Sequence, residues 1–151
     1  MAYELEKSIG FKINQTANKL NIKYNKILQI YDIAPEQRAT LEIIKYEKEA
    51  NQTMIAEILG KDKTTISRTL ATLEKKDLIT KTQIDKRTNH IQLTKLGEEI
   101  LEKSTNQVKE FRATLISNLT NDEVSQLITL LEKVALNTKE DKWENQSITY
   151  I

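Results

Sequence analysis

Apolar positions recur every third or fourth residue along most of this chain, and every second residue in one short stretch. The first stripe is Ile9, Ile13, Ala17, Leu20, Tyr24, Ile27 and Tyr31, with Lys and Asn between. It predicts one amphipathic helix over residues 3–31, about 40 Å long at 1.5 Å per residue. That is longer than a small core requires. Part of it is expected to pack on something else, such as a second subunit; alternatively Phe11, Leu28 and Ile30 enlarge the chain's own core. Asp32-Ile33-Ala34-Pro35 breaks the stripe, and Pro35 suits the first turn of a new helix, where its missing N–H costs nothing. That helix is expected over 35–48, with Leu41, Ile43 and Ile44 inward.

The middle of the chain, Asn51 to Leu93, changes rhythm. Asn51 is placed to cap a short helix, 52–59, with Ile55, Ile58 and Leu59 inward. Gly60 supplies the left-handed stop. Asp62 caps the next helix, 63–76, its side chain accepting from the N–H of Thr64 or Thr65. Ile66, Leu70 and Leu73 point inward. The opposite side carries Lys63, Thr64, Thr65, Ser67, Arg68 and Thr72, with no acid among them. Leu78–Thr82 and His90–Leu93 alternate and are β-branched, so they read as two antiparallel strands. Asp85 and Asn89 are turn formers between them, and Lys86 and Arg87 sit at the tip. Helical spacing then resumes over 94–118, with Leu96, Ile100, Ser104, Val108, Phe111, Leu115 and Leu119 as the stripe. Thr120-Asn121-Asp122-Glu123 is a capping box opening a last helix, 121–137, with Val124, Leu127, Ile128, Leu131 and Val134 inward. The tail 138–151 is polar apart from Trp143, Ile148, Tyr150 and Ile151, which suggest packing on another helix or subunit.

Composition narrows the chemistry. Three glycines and one proline in 151 residues fit a mainly helical chain with a small two-stranded β element. No run of 18 apolar residues is present, so no membrane span is expected, and the first residues carry no basic-then-apolar leader. The cytosol is the expected compartment. With no cysteine and one histidine, His90, disulfides, thiol sensing and zinc sites are not expected, nor is any cofactor. Enzyme patterns are missing too: no glycine-rich phosphate loop, no HExxH, no Ser/His/Asp set, and Glu98-Glu99 read as helix-surface carboxylates. The net charge of +1 says little, but its placement says more. Residues 61–90 hold eight basic side chains, Lys81 among them, against four acidic ones, while the segments on either side are neutral or acidic. A concentrated positive block is the electrostatic footprint expected for phosphate.

The 52–76 stretch has helix-turn-helix spacing. Ala56 falls where the two helices would cross, Gly60 in the turn, and Ile66 locks the second helix on the first. Lys61 stands at a turn position that is usually apolar. The alternative is a helical hairpin without nucleic acid. Short hydroxyl side chains let a helix backbone approach a groove closely, and Arg68 is long enough for guanine edges or phosphates. The hairpin tip suits the minor groove or phosphates.

In this order the pieces resemble the MarR family of winged-helix transcription regulators. The matching residues are Asn51-Gln52 before Ile55-Ala56, Lys63-Thr64-Thr65-Ile66-Ser67-Arg68, and Leu73-Glu74-Lys75-Lys76-Asp77-Leu78-Ile79. The tip Asp85-Lys86-Arg87 and Leu93-Thr94-Lys95-Leu96-Gly97 match as well, and the likeness runs over about residues 8–137. The resemblance implies a homodimer whose first, fifth and sixth helices interleave, so that residues 1–33 and 94–151 form the dimerisation region and 34–93 the winged head of a single domain. Each head would read half of a palindrome in double-stranded DNA. Lys63, Thr64, Thr65, Ser67 and Arg68 would be readers, and Arg87 would enter the minor groove steadied by Asp85. Lys81 and Lys86 extend the basic surface, and Asn51 and Gln52 stand where a helix N-terminus can meet a phosphate.

The chain departs from the family at two places. Ala34 replaces a frequent Thr before the proline, losing that cap unless Asp32 substitutes. Arg38 stands where an aromatic residue is frequent, three residues after the proline. Members that answer to small phenolic acids bind them near this junction. Arg38 would then pair with an effector carboxylate between Tyr24 and Tyr31; otherwise it is a surface cation. Lack of cysteine excludes the peroxide-sensing branch, and the single histidine disfavours the zinc-sensing one. The function expected is a dimeric sequence-specific DNA-binding regulator, a repressor released by a small anionic or aromatic ligand. The competing expectation is a winged-helix protein-interaction module, which would not need the basic block.

Overall fold

Short polar side chains fix where the helices begin. The computed structural model describes residues 4–86 and 89–139. In chain order these form α1 (Ile9–Leu28), α2 (Pro35–Tyr46), α3 (Gln52–Leu59), α4 (Lys63–Lys75), β1 (Ile79–Gln83), β2 (Asn89–Leu93), α5 (Lys95–Leu115) and α6 (Asn121–Leu136). The chain divides into two compact units, Met1–Lys109 and Glu110–Ile151, the boundary falling inside α5.

The single helix expected over 3–31 is broken at both ends. Ser8 is extended and its Oγ accepts from the Phe11 N–H, so it caps α1 and leaves Glu4–Lys7 as a separate 3-10 turn. A second 3-10 turn, Gln29–Tyr31, follows α1 and ends at Asp32 in the left-handed region. Leu28 is the one fully buried residue of α1, while Ile9, Ile13 and Ile30 remain exposed. The α2 cap is made from one side. Ala34 offers no side-chain acceptor and Asp32 does not replace it, but Gln37 Oε1 reaches back to accept from the Ala34 N–H at 3.1 Å.

In the first unit α2, α3, α4 and the β1–β2 hairpin share one core with the end of α1 and the first part of α5. Leu28, Leu41, Ile55, Ile66, Leu70, Leu73, Ile79, Leu101 and Val108 are at its centre. Ile58 does not point inward as expected; it is 51% exposed, and Ala56 takes the buried position against α4. On an eight-residue helix the two positions lie on different sides, and the smaller residue permits the close approach. The hairpin pairs Ile79 with Leu93 and Lys81 with Ile91.

Three connections lock this unit. At the end of α3, Gly60 is left-handed and the Lys61 N–H reaches the Ala56 carbonyl at 3.0 Å. At the end of α4, Asp77 takes the left-handed position, the Leu78 N–H bonds the Leu73 carbonyl at 3.0 Å and the Asp77 N–H that of Glu74. At the start of α5, Thr94 makes three bonds. Its N–H goes to the Leu78 carbonyl, its hydroxyl donates to the Asp77 carbonyl, and the same oxygen accepts from the Gly97 N–H. Gly97 lies so close to the Leu78 carbonyl that a Cβ there would stand 2.1 Å from its oxygen.

The second unit holds the end of α5 and α6. The Thr120/Glu123 capping box forms in both directions, Thr120 Oγ1 accepting from the Glu123 N–H at 3.1 Å and Glu123 Oε1 from the Thr120 N–H at 3.0 Å. No residue of α6 is fully buried: Leu127, Ile128, Leu130, Leu131, Val134 and Leu136 are all exposed. On α5, Ser104, Val108 and Phe111 are buried as expected, whereas Leu96 and Leu115 at the two ends of the stripe are exposed. Residues 140–151, including Trp143, Ile148, Tyr150 and Ile151, lie outside the described residues.

Candidate nucleic-acid interface

The outer face of α4 is presented by the packing of its inner one. Ile66, Leu70 and Leu73 are sunk in the core, which turns Lys63, Thr64, Ser67 and Arg68 to solvent. Thr65 sits at the flank, half-buried. Asp62 Oδ1 accepts from the Thr65 N–H at 2.6 Å. That bond, then the Thr65 hydroxyl, and then the attraction of Arg68 hold the Asp62 carboxyl below its usual range. A carboxylate that stays ionised here opposes the helix dipole's positive end and fixes the first turn. Thr72, expected on the outer face, is half-buried and returns its hydroxyl to the Arg68 carbonyl at 3.0 Å.

Two side chains set α4 against its neighbours. Gln52 Nε2 donates to the Lys63 carbonyl at 2.8 Å, joining the first turns of α3 and α4. Gln52 is therefore a strut for α4 as well as a surface group. Glu36 on α2 accepts from the Thr69 hydroxyl and lies 3.7 Å from Lys61 Nζ. This pair explains a lysine at a turn position where an apolar residue is usual: its ammonium is held on the α2 carboxylate. Asn51 Oδ1 accepts from the Met54 N–H at 2.9 Å, the expected cap of α3.

A concave surface lies between the first turns of α3 and α4 and the hairpin. Asn51, Gln52, Glu57, Lys63, Lys81 and Asn89 are among the residues that line it. Four of the residues singled out from sequence, Asn51, Gln52, Lys63 and Lys81, thus meet on one surface, beside the exposed Thr64, Ser67 and Arg68. Lys81 is half-buried because its register places it opposite Ile91, on the inward face of the hairpin. Asp85 and Lys86 are exposed at the far end. Arg87 lies outside the described residues. Among the described residues no cluster of His, Cys, Asp or Glu could hold a metal ion, and no helix is long and apolar enough to cross a membrane.

The effector candidates behave differently. Arg38 is no surface cation: it is 3% exposed, its Nε donates to Ser104 Oγ at 2.8 Å and its Nη1 to Glu42 Oε2 at 2.8 Å. Ser104 in turn donates to the carbonyls of Ile100 and Leu101. The Tyr31 hydroxyl bonds Gln107 Oε1 and the Lys103 carbonyl. Tyr24 is partly buried against the core. Arg38 therefore already has a resident carboxylate and serves as a tie between α2 and α5. Arg38→Ala should lower stability by about 2 kcal/mol, since two charge-assisted bonds go while the half-exposed Glu42 regains water. Chemical denaturation of both proteins checks this, and an unchanged midpoint would exclude the structural role.

The family model for the MarR family matches residues 33–88. Among solved structures, a MarR/EmrR family transcriptional regulator from Acinetobacter sp. ADP1 is 29% identical over 88% of this chain and 96% of its own, with a TM-score of 0.81. MepR of S. aureus, in a complex with DNA, is 26% identical over 89% of this chain and 99% of its own, with a TM-score of 0.79. A MarR mutant from E. coli complexed with operator DNA is 29% identical over 83% of this chain and 92% of its own, with a TM-score of 0.74. The matched span holds α2 through most of the hairpin, the elements that form the outer face of α4 and the cleft beside it. Residues 33–88 thus match the MarR family, and the chain has the fold of MarR-type winged-helix transcriptional regulators.

Proposed function

We propose that two copies of this chain bind a palindromic operator in double-stranded DNA and repress the transcription it controls, in the cytosol. The observation that carries this reading is the outer face of α4: Lys63, Thr64, Ser67 and Arg68 are exposed on a helix braced by Gln52, Glu36 and the core, with Lys81 across the cleft. Small and cationic groups on a rigid helix are what major-groove entry requires. Asn51, Lys63, Lys81 and Lys86 take backbone phosphates, and Arg87 with Asp85 takes the minor groove. The two relatives solved with DNA, at 26% and 29% identity, support the same partner.

The second copy is supported by α6, whose Leu127, Ile128, Leu131 and Val134 are exposed together. An apolar face of that extent is unfavourable in water and favours burial against another subunit. Leu131→Glu places a charge in that face. Sedimentation should then show a monomer, and gel shift should show at least tenfold weaker binding to a two-half operator. A variant that remains dimeric with full affinity would refute this arrangement.

A small carboxylate or phenol would act at the Tyr24, Tyr31 and Arg38 junction by competing with Glu42 for the Arg38 guanidinium. Titration of the DNA complex with salicylate tests this arm alone. Release of DNA by the parent protein supports it, and no change in affinity at saturating acid removes it.

A further inference from the structure

The hydrogen bonds of α4 sort its hydroxyl groups into two kinds. Thr65 is half-buried, gives its N–H to Asp62 and accepts the Thr69 hydroxyl on its carbonyl. Thr69 gives its hydroxyl to Glu36 and the Thr65 carbonyl, and Thr72 returns its own to the Arg68 carbonyl. These three are spent on holding the helix. Thr64 and Ser67 are exposed, and no described residue takes their hydroxyls. Arg68 is exposed as well, feels the Asp62 charge and forms no ion pair with a described carboxylate. The side chains left over for an outside partner therefore differ in chemistry: a threonine with a methyl group, a serine without one and a guanidinium fork.

Each has a distinct match on a base edge. A guanidinium matches the O6 and N7 acceptors of guanine, and an apolar group lies favourably against the C5-methyl of thymine. Ser67, without a methyl group, adds no apolar contact and keeps the surface between Thr64 and Arg68 shallow. Thr64 and Arg68 are four residues apart, about 6 Å along the helix, and bases along a strand are about 3.4 Å apart. The two side chains thus address positions about two base steps apart when α4 runs along the groove.

We propose that each half-site contains a guanine read by Arg68 and, about two steps away, a thymine whose methyl lies against the Thr64 methyl. This rests on the reading of the chain as a DNA-binding regulator and assigns its base preference. Thr65, exposed in sequence terms like its neighbours, is a positioning residue for the first turn and reads no base.

The test starts from sites selected out of random duplex DNA by the full chain. Two substitutions are then made within a selected site: thymine to uracil, which removes only the methyl, and guanine to an analogue lacking N7. The parent protein should bind the uracil site about fourfold less tightly. It should bind the modified-guanine site about fivefold less tightly or worse. Thr64→Ser should bind thymine and uracil sites equally, and Arg68→Ala should be indifferent to the guanine analogue. If Thr64→Ser keeps the parent's thymine preference, or if selected sites carry no common guanine and thymine at this spacing, the base assignment is overturned while DNA binding stands. If no duplex is bound at any sequence, the regulator reading falls and the assignment with it.

Discussion

Affinity for operator DNA should fall about 10⁴-fold between about 50 mM and about 200 mM salt. The figure follows from the cations placed along the proposed interface. In the proposed complex each head would set Lys63, Lys81 and Lys86 on phosphates and Arg87 in the minor groove between the two phosphate strands, so two heads would neutralise about eight charges, each contributing about −0.9 to the slope of log affinity against log salt. Lys81 is the informative one. Its half-buried stem limits where its ammonium can go, and it faces Lys63 and Asn51 across the same cleft. Lys81→Ala should reduce the slope by about two, one per head, while leaving base preference untouched. Fluorescence anisotropy over a salt series measures both. A total slope shallower than about −3 would mean that Lys63 and Lys81 do not lie on the backbone.

Gly97→Ala should destabilise the protein by about 3 kcal/mol or more, the upper range for forcing an added carbon into a packed site. The added Cβ would meet the Leu78 carbonyl oxygen at 2.1 Å. That oxygen has little freedom to withdraw. It accepts from the Thr94 N–H at 3.0 Å, the Leu78 side chain is buried, and the Leu78 N–H is bonded to the Leu73 carbonyl. Gly10 is the internal control. It lies in the first turn of α1, and a Cβ there meets nothing nearer than Ser8 Oγ at 3.9 Å. Gly10→Ala should raise stability by about 0.5–1 kcal/mol through helix propensity. Urea denaturation at one protein concentration compares the three proteins, and equal shifts for the two glycines would contradict the close packing at Gly97.

Local chemistry carried most of the fold into view from sequence. Asn51, Gly60, Asp62 and the Thr120/Glu123 box act within three or four residues of themselves, so their roles depend on little else, and each forms as expected. The strand pairing followed from alternation, and the inward set of α4 from its spacing. What sequence could not supply was set by distant partners. Arg38 looks like a surface cation until Ser104, 66 residues later, is brought beside it. Lys61 looks misplaced until Glu36 is known to face it. Ser8 interrupts a stripe that periodicity reads straight through, because a serine cap leaves the apolar spacing unchanged. On the outer face of α4 the residue types were visible, but the division of Thr65 and Thr72 from Thr64 and Ser67 required the bonds themselves.

The knot at Asp77, Leu78, Thr94 and Gly97 has a mechanical consequence. It joins the end of α4, the start of β1 and the first turn of α5 at a single pivot. From that pivot α4 projects 13 residues to its first turn, a lever arm of about 20 Å. A rotation of about 10° at the first turn of α5 would swing Lys63 and Thr64 by about 3 Å, close to the spacing of one base pair. Because β1 leaves from the same pivot, the hairpin would swing with the helix. A rotation that broke the Gln52–Lys63 and Thr69–Glu36 bonds would therefore be amplified into displacement at the far end of the lever, moving the outer face of α4 and the hairpin together.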